Sequence, residues 1–115
     1  YRNTVRLFAG EKCFGPGVAQ LLRHVQEFHS LRSAAKAMNM AYSKAWRIIR
    51  TAETVFGCKL LSSTIGGAHG GGAVLTPEAE RLLAAYEAYC ADVGTYAQGK
   101  FEDAFRFYRD LDHRP

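Results

Sequence analysis

Apolar residues recur every three or four positions over three stretches of the chain, alternate in one, and flank a glycine run in another, and these changes of period divide it into elements. From Val18 onward, Leu21, Leu22, Val25 and Phe28 predict a first helix to about His29. Ala34, Ala35 and Ala37 predict a short second helix, small enough in side chain for close packing, which either Ser30 or Ser33 can cap. A third helix is predicted from Tyr42 to Phe56, ending at Gly57, a residue suited to a left-handed C-terminal position. Before these, Asn3 to Phe8 alternate as a short strand, with Val5 and Leu7 on one side or Thr4, Arg6 and Phe8 on the other. A turn at Ala9 to Lys12 and a break at Phe14-Gly15-Pro16-Gly17 follow. Lys59 to Ile65 and Ala73 to Leu75 read as two short strands around a glycine-rich loop. Thr76-Pro77-Glu78 then offers a cap, a proline at the first helical position and an acid at the positive end of the dipole. The last helix runs from Pro77 to near Tyr108, its apolar seam spaced for a partner helix. Gly94 and Gly99 weaken its middle by roughly 1 kcal/mol each, leaving open a kink or a second short helix after Gly94.

What the pattern leaves outside is more telling. With Ala35, Met38, Met40, Ala45, Ile48, Ile49 and Ala52 turned inward, the exposed face of the third helix carries Ser43, Lys44, Arg47 and Arg50. A short helix, a turn and a second helix with a basic, hydroxyl-bearing face is the plan of a helix-turn-helix DNA reader, and a glycine-rich hairpin beside it is a wing. The expected fold is mainly α with a small β wing: a winged helix-turn-helix with a long C-terminal dimerisation helix. At 115 residues and 48% hydrophobic the chain suits one domain, with residues 1–76 as the reading part and 77–110 as the dimerisation helix.

Charge strengthens that picture through its distribution. The net charge is only +4, but residues 23–59 hold seven Lys or Arg against two acids, whereas acids outnumber bases from Glu78 onward. The positive potential therefore belongs to the reader. Cys13, Cys58 and Cys90 are odd in number and scattered, with no Cys-x-x-Cys and no His pair at ligand spacing, so neither a disulfide framework nor a metal site is expected. They are expected to be buried. With no long apolar span and no signal-peptide pattern, the expectation is a soluble cytoplasmic protein without a membrane partner.

A phosphate-cradling loop is the rival reading of the glycines, and it fails in detail. No Lys-Ser or Lys-Thr follows them, and Leu75-Thr76-Pro77 separates them from the next helix start. No paired carboxylates stand near a His, so no enzyme and no cofactor is expected.

The DNA-binding set expected from the motif is Ser33, Tyr42, Ser43, Lys44, Arg47, Arg50, Thr64, His69 and Gly70. Ser43, Lys44 and Arg47 would reach base edges, since Arg and Lys pair with guanine O6 and N7 and Ser serves several bases. Tyr42 and Arg50 would flank them, and Ser33 with nearby backbone N–H groups would meet a phosphate. Thr64, His69 and Gly70 would touch the neighbouring backbone or minor groove. Trp46, on the side of Ile49, is expected in the core, and His24 and His29 near the surface without a role. Dimerisation is expected through Leu82, Tyr86, Tyr89, Val93 and Tyr96. The plain alternative for the basic side chains is a solvated face.

The run Phe14-Gly15-Pro16-Gly17, the stretch Ala34 to Trp46, and Gly66-Gly67 followed by Gly70 to Thr76 together resemble the N-terminal DNA-binding domain of ModE-type molybdate-responsive regulators over roughly Val5 to Tyr89, with a reader similar to that of LysR-type regulators. The resemblance implies a homodimer joined through first and last helices and a pseudo-palindromic promoter site in double-stranded DNA. Molybdate binding is not expected, because the family's sensor domains would begin where this sequence ends. Ser63 and Ala68 stand where the family's wing is basic, His69 where glycine is common, and Arg47 and Arg50 where acids are frequent. A weaker wing contact and a more cationic third helix are thereby implied. The other function class is a protein-interaction module working through the aromatic C-terminal helix.

Overall fold

A computed structural model describes residues 2–64 and 72–111. Its core is built on α1 (Pro16–Phe28), where Leu21, Leu22 and Val25 lose all contact with solvent. Each such side chain contributes about 1.5–3 kcal/mol by burial. Phe28, expected on the same stripe, is exposed and stacks against His24 one turn earlier. The helix ends at His29, whose backbone is left-handed at φ 56° and whose N–H bonds the Val25 carbonyl.

α2 (Leu31–Ala37) is capped by Ser30, whose Oγ accepts from the Ser33 N–H at 3.0 Å. Ser33 is therefore a residue of the first turn rather than the cap. Met38 and Asn39 make the turn, with Asn39 in the left-handed region at φ 54°, which asparagine tolerates. α3 (Tyr42–Phe56) ends at Gly57 with φ 69°, the conformation anticipated there. Ala34 and Ala35 of α2 and Ala45 and Ala52 of α3 are all buried in the core, where the two helices pack together, and their small side chains permit a close approach.

The wing is an antiparallel pair, β3 (Leu61–Thr64) and β4 (Gly72–Leu75), in register Leu61 to Leu75 and Thr64 to Gly72. A second antiparallel pair precedes α1: β1 (Leu7–Ala9) and β2 (Glu11–Phe14), turning at Gly10 with φ 83°. The alternation had suggested one strand over Asn3 to Phe8 and no second. β2 delivers Cys13 and Phe14 to the core, where the Phe14 ring meets Phe56 at 6.0 Å and Tyr86 at 4.9 Å between centroids.

α4 (Pro77–Ala104) is continuous through Gly94 and Gly99, and a short α5 (Tyr108–Leu111) follows. Thr76 caps α4, accepting from the Ala79 N–H at 3.1 Å while donating to the Lys59 carbonyl at 2.7 Å, and so ties the wing to the helix. Ala79, Leu83 and Tyr86 sink into the core, and Glu87 takes Arg23 of α1 in a two-pronged ion pair. That pair holds the Glu87 carboxyl below its usual pKa range. From Ala91 on, α4 leaves the body. The radius of gyration is 18.6 Å, against about 13 Å for a compact chain of this length.

Tyr86 was expected in the dimer seam but lies 7% exposed inside the monomer, its hydroxyl donating to the Val5 carbonyl at 2.6 Å. Burial, then the Cys90 side chain one turn on, pushes its phenol up to about 12, with Arg6 pulling slightly the other way. An unfolded tyrosine ionises near pH 10, so the raised folded value contributes stability that is complete below about pH 10 and lost as pH rises towards 12. Urea melts at pH 9 and pH 11 should show that loss, and Tyr86→Phe should flatten it. Cys13 is buried, Cys58 and Cys90 are half-buried rather than fully so, and all three are free thiols.

Candidate nucleic-acid interface

Residues of α3 turn about 100° apart, which sorts its surface into rows. Opposite the buried Ala45, Ile49 and Ala52 stands the row Ser43, Arg47, Thr54, all exposed. Lys44 lies on one flank of that row and Tyr42, Trp46 and Arg50, four residues apart, lie on the other, towards the wing. The anticipated quartet Ser43, Lys44, Arg47 and Arg50 is thus on the surface, on two sides of one convex helix. Ala41 supplies no side-chain cap to α3, and the Lys44 N–H bonds the Ala41 carbonyl at 3.1 Å.

Trp46 corrects the expectation of a core residue: it is 46% exposed. The physical reason is angular, since Trp46 and Ile49 are about 60° apart on the helix and only Ile49 falls within the arc of Ala45 and Ala52. The Arg50 guanidinium lies over the Trp46 ring at 4.6 Å, and that of Arg32, from α2, over Tyr42 at 4.2 Å. These residues border a cleft of about 520 Å³ between α3 and the wing, which Lys59, Ser62 and Ser63 also line. Arg32, Trp46, Lys59 and Ser62 were missed as site residues. The Arg32 to Tyr42 contact joins two helices and has no local signal. The i, i+4 spacing of Trp46 and Arg50 was the available clue.

Glu53 also borders the cleft, but its Oε2 accepts from the Leu60 N–H at 2.9 Å and so anchors the chain entering the wing. Ser33 is exposed on α2, with its N–H already given to Ser30. Thr64, half-buried at the end of β3, accepts from the Gly72 N–H at 3.0 Å. His69 and Gly70 lie outside the described residues. The wing itself is docked on α1 by Ala73, whose N–H bonds the His29 carbonyl at 2.9 Å. A Cβ on Gly72 would stand 2.7 Å from that same carbonyl oxygen and from Thr64 Oγ1. Gly72→Ala should therefore lift the wing, at a cost of about 1–3 kcal/mol, and hydrogen exchange at the Ala73 amide should accelerate.

Of the expected dimer residues, Tyr89 and Tyr96 are exposed on α4, Leu82 and Val93 are half-buried, and Tyr86 is internal. Among the described residues no three His, Cys, Asp or Glu side chains converge as a metal site. No described helix is long and apolar enough to cross a membrane.

The chain is 36% identical over 73 residues to the molybdenum-pterin-binding protein MopB of Rhodobacter capsulatus, covering 64% of this chain and 27% of that protein. It is 36% identical over 72 residues to the transcriptional regulator ModE of Haemophilus influenzae, covering 63% and 28%. It is 33% identical over 72 residues to the DNA-binding transcriptional dual regulator ModE of Escherichia coli K12, again covering 63% and 28%. The chain thus spans less than a third of the length of these relatives. Residues 18–80, from α1 through the wing to the first turn of α4, match the bacterial regulatory helix-turn-helix proteins of the lysR family, and the chain belongs to that family, with a reading region of the ModE type.

Proposed function

We propose that this chain is a DNA-binding transcriptional regulator that reads a pseudo-palindromic promoter site as a homodimer, with α3 in the major groove and the wing on the adjoining backbone. The observation that carries this reading is the outward row of Ser43 and Arg47, flanked by Lys44 and Arg50, on a helix seated by alanines against α2. Ser43, Lys44 and Arg47 reach base edges, and Tyr42, Arg50, Ser33 and Thr64 meet the backbone around them. His69 and Gly70, which lie between the two wing strands in sequence, are counted with the backbone-contacting residues in this proposal. The second copy joins along α4, through Leu82, Tyr89, Val93 and Tyr96, so that two reading helices face half-sites about 34 Å apart or a multiple of it.

Selection of random duplex DNA on the purified protein tests the proposal. An enriched two-fold site, bound by two copies with an affinity that falls steeply with salt, supports it. The exposed Tyr96, Phe101, Phe105 and Tyr108 favour a second reading, a protein-interaction module. Sequence-blind, weak DNA binding would shift the assignment to that module, because aromatic packing barely responds to salt whereas each neutralised phosphate adds about 0.9 to the log-log slope.

A further inference from the structure

We propose that Trp46 and Tyr42 are positioning residues, each holding one arginine ready to grip a DNA phosphate at the cleft between α3 and the wing. The inference rests on the DNA-binding reading and specifies how this flank of it works. The Arg50 guanidinium lies over the Trp46 ring and the Arg32 guanidinium over the Tyr42 ring, at 4.6 and 4.2 Å. All four side chains border the same cleft. Stacking covers the flat face of a guanidinium and leaves its five N–H groups, which lie in the plane, pointing outward. An exposed arginine otherwise moves among many rotamers and must surrender them on binding; one laid on an aromatic ring has surrendered them beforehand.

Charge at the cleft fits a phosphate diester. Among the described residues neither Arg32 nor Arg50 is paired with a carboxylate, while Arg23 and Arg106 are. The acid that borders the cleft, Glu53, has Oε2 committed to the Leu60 N–H. Lys59, Ser62 and Ser63 line the same cleft, adding a further positive charge. The ring of Trp46 is solvent-exposed, so its removal takes nothing from the core.

Trp46 is the single tryptophan of the chain, and its emission therefore reports the stack directly. Affinity for a duplex bound by the wild-type protein is measured for Trp46→Ala, Trp46→Phe, Arg50→Ala and the double variant Trp46→Ala/Arg50→Ala, at several salt concentrations. Each alanine variant is expected to bind about five- to tenfold more weakly, the double variant no more weakly than Arg50→Ala, and Trp46→Phe within about twofold of wild type. Arg50→Lys, which keeps the charge and loses the plane, should shift the emission of the free protein. Losses that multiply in the double variant, or full affinity in Trp46→Ala, overturn the positioning role while the DNA-binding reading stands. Absence of salt-dependent duplex binding by the wild-type protein overturns both.

Discussion

Phe14→Ala is expected to remove about 3–5 kcal/mol of stability, the range for a large aromatic taken from a closed core. Phe14 is 1% exposed, and its ring is held between Phe56, from the end of α3, and Tyr86, from α4. The cavity would open where three elements meet, so collapse of one wall cannot fill it without moving the others. Against a total of about 5–15 kcal/mol for a domain, the loss is a large part of what keeps it folded. The midpoint of urea unfolding checks this, and a fall below about 1 kcal/mol would show that the hairpin of β1 and β2 is not integral to the core.

Arg47→Ala is expected to weaken binding to the selected site by about 1–3 kcal/mol, roughly 5- to 150-fold, and to relax the preference for guanine at one position in each half-site. Arg47 is exposed at the centre of the outward row of α3 and, among the described residues, makes no ion pair or side-chain hydrogen bond, so circular dichroism and sedimentation should be unchanged. Selection repeated with the variant gives the specific readout: the relaxed position should be the same in both halves. An unaltered site and affinity would remove Arg47 from the recognition set.

Much of this arrangement was legible because its signals are local. Gly57 at a left-handed C-terminus, Thr76-Pro77-Glu78 at a helix start, and the glycine run between two strands each depend on a few adjacent residues, and α3 and the wing fell where those residues put them. Long-range geometry was hidden. Phe14, at the end of β2, packs against Phe56 and Tyr86, partners 42 and 72 positions away along the chain. Tyr86 keeps the spacing of the exposed seam yet is taken inside by Val5. Trp46 was assigned by side of helix, and a difference of about 60° separates a core residue from one carrying Arg50 in solvent. The choice between Ser30 and Ser33 turned on one hydrogen bond.

The way α4 is rooted has a consequence for the proposed homodimer and the site it would read. Among the described residues its grip on the body lies in its first half, at the Thr76 cap tied to Lys59, Ala79, Leu83, Tyr86, the Arg23–Glu87 pair and the half-buried Leu82 and Cys90, and from Ala91 on it projects. The helix acts as a pointer: a tilt of about 10° at its root sweeps the end of the projecting part, roughly 20 Å long, through about 4 Å, close to the rise of one base pair. In a homodimer joined along it, the gap between the two half-sites is geared to side chains that never approach DNA. Substitution at Arg23 or Glu87 can then change operator spacing by a base-pair step while the sequence read within each half stays the same.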